Sequence, residues 1–186
     1  MALTHDHGDH MGQTVEIVRT TEAMLYCIAD LVGYFRERGV PEGQIINYGM
    51  GGNVDGTLEF KGTKLTMTQA FHSAAMGSPV GYVVEMPGGH TVYHAGDTGL
   101  FGDMTLIADR FNLDLALLPI GGVFTMDGKL AAKAAGLLGA PVAMPMHYRT
   151  FPVLAQNADL FVESLKEFAP TCRPLVIEPN EMVVLD

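Results

Sequence analysis

Two periods of apolar positions run along this chain, and they change over at recognisable places. Met11 to Thr20 reads as a short helix, and Ala23 to Cys27 as a strand. Ala29 to Arg38 carries Leu31, Val32 and Phe35 at helical spacing and stops at Gly39 with Pro41 beyond, a common helix stop. Gln44 to Gly49 reads as a strand. From Thr57 the pattern turns to β, with short runs rich in β-branched and aromatic residues at Thr57 to Phe60, Lys64 to Phe71, Val80 to Met86 and Thr91 to Ala95. Lys61-Gly62-Thr63 and Pro87-Gly88-Gly89 have the composition of hairpin turns. Helical spacing returns at about Leu100 to Phe111, Lys129 to Leu138 and Asn157 to Phe168. Strands are expected at Leu113 to Pro119, Pro141 to Met146, Pro174 to Ile177 and Met182 to Leu185. Hairpins and βα units in one chain predict an α/β layered domain, with sheets covered by helices.

The length of 186 residues fits a single domain, 1-186, and 48% hydrophobic residues supply a sizeable core. No internal repeat or low-complexity tract marks a boundary. A formal net charge of −10 argues against long-range attraction to phosphate backbones or anionic membranes, so neither nucleic acid nor membrane is an expected partner. The two cysteines, Cys27 and Cys172, each sit in an apolar stretch and read as buried free thiols, which suits a reducing cytoplasm. No apolar run approaches the roughly 18 residues needed to span a bilayer, and no signal core opens the chain.

The chemistry concentrates at Thr4-His5-Asp6-His7-Gly8-Asp9-His10, three imidazoles and two carboxylates in six consecutive residues. In an extended segment His5 and His7 point to one side, and Gly8 permits a turn into the following helix. That turn presents Asp9 and His10 to a second ion, in a two-metal site with about 3.5–4 Å between ions. Four ligands do not close two sites. His72, Asp97 in Gly96-Asp97-Thr98-Gly99, and His147 each follow a β run, on loops where functional groups concentrate. His90, in a Gly-rich turn, reads as solvent-exposed. His94, on the strand that leads to Asp97, reads as a donor to a ligating carboxylate or a core residue in preference to a ligand.

In this order, Thr4-His5-x-His7-Gly8-Asp9-His10, Ala70-Phe71-His72-Ser73, Tyr93-His94-Ala95-Gly96-Asp97-Thr98-Gly99, Leu118-Pro119-Ile120-Gly121-Gly122 and Met146-His147-Tyr148-x-Thr150-Phe151-Pro152 resemble the metallo-β-lactamase superfamily. They resemble in particular its branch of small uncharacterised metal-dependent hydrolases, similar to ascorbate-phosphate lactonases. The resemblance implies an αβ/βα sandwich of mixed sheets. It implies one ion on His5, His7 and His72, another on Asp9, His10 and His147, and Asp97 between them. Members of that family usually carry further residues before the H-x-H-x-D-H loop, forming the first strands. With the loop beginning at His5, the expectation is an N-terminally truncated sandwich with exposed apolar sheet that favours a homo-oligomer. A smaller departure is Met126-Asp127-Gly128-Lys129, where the family usually has a Gly-Pro pair before an acidic residue.

Imidazole and carboxylate ligands without thiolate suit zinc, and also manganese or iron. Bound water with its pKa lowered from about 15.7 to about 7 makes a metal-bridged hydroxide the expected nucleophile. Asp9 is the expected orienting and proton-transferring group, Asp97 bridges the ions, and Tyr148 is a candidate donor to the oxyanion. Arg149 is a candidate for an anionic substrate group, against a solvated surface role. The expected activity is therefore metal-dependent hydrolysis of an ester, lactone or phosphoester of a small molecule. The alternatives are a nuclease or phosphodiesterase of the same superfamily, or an inactive truncated metal-binding protein.

Overall fold

The computed structural model describes residues 1–184, which fold as two compact units. The first comprises Met1–Gly89 and His94–Asp97. The second comprises His90–Tyr93 and the chain from Thr98 onward.

In the first unit, α1 (Gly8–Met11) and α2 (Thr14–Thr20) stand where one helix was expected. Gly12 separates them at φ +44°, a conformation that breaks helical propagation. Val18, Leu25, Leu31, Phe35, Ile45, Met67 and Tyr82 make up much of the core on which α2 and α3 (Val32–Glu37) rest. Three strands form an antiparallel meander: β1 (Thr57–Phe60), β2 (Thr63–Gln69) and β3 (Val80–Glu85). Lys61 and Gly62, both at positive φ, make the two-residue turn between β1 and β2 and put Phe60 opposite Thr63. In β2, Thr66, Met67 and Thr68 are all buried, so this strand is covered on both faces where simple alternation would leave one exposed.

Two expected strands of this unit do not form as such. Ala23 to Cys27 contributes single bridges, Tyr26 to Ala2 and Leu25 to Ile45. Gln44 to Gly49 is instead a 3-10 turn, one bridged residue and the helical turn α4 (Ile46–Gly49). Asn47 and Tyr48 there take left-handed backbone, which ends extended structure after Ile45.

The second unit holds β4 (Thr91–His94, all but its last residue) and a parallel set, β5 (Leu115–Pro119), β6 (Val142–Met146) and β7 (Arg173–Pro174). α5 (Met104–Arg110), α6 (Gly128–Leu138) and α7 (Asp159–Phe168) accompany them. α6 and α7 pack closely, burying Ala131, Ala134, Ala135, Phe161 and Leu165. The side chain of Asp127 accepts from Leu130 N–H and starts α6. β7 is shorter than the expected Pro174 to Ile177. Residues 182–184 of the expected last strand are not in a strand, and Leu185 lies outside the described residues. Both cysteines are free and buried, as expected.

Candidate metal centre

The motif segment is held from both sides before it reaches its expected ligands. Leu3 N–H donates to Tyr26 C=O at 2.9 Å, and Val80 N–H donates to Thr4 C=O at 2.9 Å. The hydroxyl of Tyr82 donates to Leu3 C=O at 2.6 Å, below the same segment. The chain then turns at Gly8, with the amides of His10 and Met11 donating to His7 C=O, so Asp9 and His10 ride on α1 while His5 and His7 remain on extended backbone. His72 follows β2, and Asp97 follows β4 through Ala95 and Gly96.

Within this unit the expected ligands converge. The ring centroid of His5 lies 4.5 Å from that of His7, 4.1 Å from His10 and 5.1 Å from His72. Nδ1 of His7 is 3.3 Å from Nε2 of His72. Asp97, almost fully buried, sets its Oδ2 at 3.4 Å from His10 Nε2 and 3.6 Å from His72 Nε2. Two groups have donor atoms within 4.8 Å of one another, His5 with His7 and His72, and His5 with His10 and Asp97. Asp9, half exposed, has its Oδ2 3.7 Å from His10 Nε2.

Electrostatically the two histidines that flank Asp97 are driven in opposite directions. Burial drives the pKa of His5 down to about 4, with the charge of nearby His10 adding to it against the opposing pull of Asp97. Burial also acts downward on His10, but its hydrogen bond to Asp97 and the charges of Asp97 and Asp9 outweigh that and raise its pKa. His5 is 1% exposed, and its Nε2 has no hydrogen-bond partner among the described residues. Such a buried polar atom costs about 1–3 kcal/mol unless satisfied. A divalent cation among neutral imidazoles and a carboxylate satisfies it, so these residues fit the metal that the motif implies.

The other expected residues fall as follows. His147 and Tyr148 belong to the second unit, half-buried at the end of β6, with His147 at φ +55°. Arg149 is engaged by Glu178 through two hydrogen bonds of 3.2 and 2.7 Å, and the pair shifts Glu178 downward and Arg149 upward in pKa. Its guanidinium is thus neither simply solvated nor unpaired. His90 is half exposed beside Asp114 at 3.8 Å. Nδ1 of His94 accepts from Gly96 N–H at 3.1 Å, which places His94 in support of the turn that carries Asp97. Burial, then the charge of His10, lowers its pKa.

Two residues of the motif segment itself were not singled out by sequence reasoning. The Thr4 hydroxyl touches His5 and His10. The carboxylate of Asp6 accepts from the amides of Ala75 and Met76, the latter at 2.7 Å. Their alternation with His5 and His7 was the available signal, but it does not reveal which groups they meet.

A family model described as a β-lactamase superfamily domain matches residues 1–148. The chain belongs to the metallo-β-lactamase superfamily. The match runs through both compact units. A UPF0173 metal-dependent hydrolase of Nitratidesulfovibrio vulgaris is 50% identical over 184 residues, covering 99% of this chain and 77% of that protein. Another from Pyrobaculum aerophilum is 43% identical over 182 residues, covering 97% and 78%. Among solved structures, Igni18, a metallo hydrolase from Ignicoccus hospitalis, is similar with a TM-score of 0.87 and 36% identity, covering 98% of this chain and 77% of that one. The Bacillus subtilis protein YhfI shares the fold with a TM-score of 0.74 at 15% identity, covering 95% and 73%. The chain is accordingly an enzyme, a metal-dependent hydrolase of α/β metallo-β-lactamase fold. Among the described residues no helix is long and apolar enough to cross a membrane.

Proposed function

We propose that this enzyme hydrolyses an ester, lactone or phosphoester of a small molecule with two divalent metal ions, zinc being the first choice. The observation that carries the reading is the convergence of His5, His7, His10, His72 and Asp97 around a buried His5 Nε2 that has no hydrogen-bond partner among the described residues. One ion is assigned to His5, His7 and His72. The other is assigned to Asp9, His10 and His147, with Asp97 shared, and His147 enters on its place in the ordered motifs of the family. When bound, such ions acidify water and polarise the oxygen of the scissile group.

The chain's own residues do the rest. Asp9, half exposed on the helical turn, orients the attacking water and takes its proton. As the bond to the leaving oxygen breaks, Asp9 returns that proton to it. Tyr148 is assigned to donate a hydrogen bond to the oxygen on which charge develops. The net charge of −10 supports a small molecule over nucleic acid as substrate, and a cytoplasmic setting fits the two free thiols. The test is turnover of His7→Ala and Asp97→Ala variants on a lactone and phosphodiester panel, with elemental analysis of each protein. Both variants are expected to lose turnover and metal together. Unchanged turnover in both overturns the reading.

A further inference from the structure

Thr4 precedes the first expected ligand, and nothing in a list of metal-binding residue types draws attention to it. Its side chain is nevertheless buried, and its Oγ1 lies 3.0 Å from Nδ1 of His5 and 3.1 Å from Nδ1 of His10. We propose that the Thr4 hydroxyl is a positioning residue that fixes the tautomer of two metal ligands at once, accepting Nδ1–H from both His5 and His10 so that both Nε2 atoms face the metal cluster. The inference rests on the metal centre proposed above and goes beyond it, because it assigns a proton to a stated atom in each ring.

The reasoning is a matter of counting donors and acceptors. A neutral imidazole carries one N–H and one lone pair, and the partner of one nitrogen decides the state of the other. For His5 the choice is one-sided. A proton on Nε2 would be a buried N–H with no acceptor among the described residues, whereas a proton on Nδ1 reaches Thr4 at 3.0 Å. For His10 the same nitrogen, Nδ1, is turned to Thr4, and Nε2 is turned to the Asp97 carboxylate at 3.4 Å. A hydroxyl oxygen has two acceptor lone pairs, enough for both rings. If Thr4 instead donated its proton to one Nδ1, that ring would carry its hydrogen on Nε2 and could not ligate. Valine or alanine at this position would take the Thr4 acceptor away from both rings.

The hydroxyl is also held where it is needed. The backbone carbonyl of Thr4 accepts from Val80 N–H, tying the residue to β3. Its Cβ and Cγ2 lie 3.3 Å from the point where a side chain on Gly96 would begin, so Thr4 fills the space above the Asp97 turn. A β-branched residue so packed has little rotamer freedom, and the hydroxyl direction is set before any metal arrives. Thr4 thereby joins the His5–His10 segment, β3 and the turn that bears Asp97.

Thr4→Val removes the hydroxyl at nearly constant shape, and Thr4→Ser keeps it. Zinc affinity, measured by competition with a chromophoric chelator, is expected to fall by about 10–100-fold in Thr4→Val, the usual effect of losing a residue that orients a ligating histidine, and to recover in Thr4→Ser. Imidazole ¹⁵N NMR supplies a reading independent of activity. Metal-free wild-type protein is expected to carry the His5 proton on Nδ1, and zinc-loaded protein to show Nδ1–H on both His5 and His10. A His5 proton on Nε2, or zinc affinity in Thr4→Val equal to wild type, overturns the proposal. If Thr4→Val does not fold, the wild-type NMR reading decides alone. Wild-type protein that binds no zinc would defeat the metal centre, while the His5 tautomer would still be read from the metal-free spectrum.

Discussion

At His5 the demands of packing and chemistry meet in one side chain. It is buried as completely as a core leucine, yet one ring nitrogen has no hydrogen-bond partner among the described residues, an arrangement that makes physical sense when a cation completes it. Gly96 makes the neighbouring turn possible. It sits at φ +62°, and a Cβ there would meet the Val80 carbonyl at 2.6 Å. Gly96→Ala is therefore expected to cost about 1–3 kcal/mol and to weaken metal binding by displacing Asp97, both measurable by urea unfolding and chelator competition. Cys27 gives a prediction of another kind. Burial pushes its thiol from 9.0 up to about 12, so the folded protein holds the thiol proton over a range in which the unfolded chain releases it. Stability is fully present below the unfolded value and falls as pH rises from there toward the folded one. Thiol-reactive reagents at pH 8 are expected to leave Cys27 unmodified until the protein is unfolded; rapid labelling of the native protein would contradict this. The proposed ligands were legible as candidates because imidazole and carboxylate groups at such spacing are rarely needed for anything else. Thr4 and Asp6 were not legible, because a hydroxyl or a lone carboxylate has many ordinary uses and only its partners give it a role.

Among the elements, the antiparallel meander and the later helices followed from periodicity and turn chemistry. Lys61-Gly62 makes its turn, and α6 begins where Asp127 caps it. Asp127→Ala is expected to lower stability by about 1 kcal/mol without affecting metal content, as chemical denaturation and elemental analysis would show. Gln44 to Gly49 misled because its apolar residues have strand composition, while the backbone turns at Asn47 and Tyr48, and one bridge from Ile45 to Leu25 is all that remains of a ladder. The Asp6 clip belongs at this scale, since it joins the motif segment to the loop after His72. Asp6→Ala is expected to remove about 1–3 kcal/mol of charge-assisted hydrogen bonding. Amide exchange at Ala75 and Met76 should accelerate and zinc affinity should drop. Unchanged exchange there would show that other contacts hold the loop.

For the molecule as a whole, the ligands of one proposed ion come from segments far apart in sequence, His5 and His7 at one end of the first unit and His72 after β2. Binding to such a set requires the folded chain, so metal stabilises the native state. At a free zinc concentration about 100 times the dissociation constant the gain is about 2.7 kcal/mol. Thermal unfolding is expected at higher temperature with zinc than after chelation, and equal melting temperatures would remove the link between metal and fold. By itself the sequence determined the family, the α/β class, the candidate metal-binding residues and most of the elements, because motif spacing, turn residues and apolar period are local properties. Tertiary structure decided which groups meet and in which direction they face. It engaged Arg149 with Glu178, turned His94 to the Asp97 loop, clipped Asp6 to the loop after His72, and set one threonine hydroxyl between two histidines. The physical reason is that a hydrogen bond needs both groups in place, and in each of these cases only the fold brings the second group within reach or sets its direction.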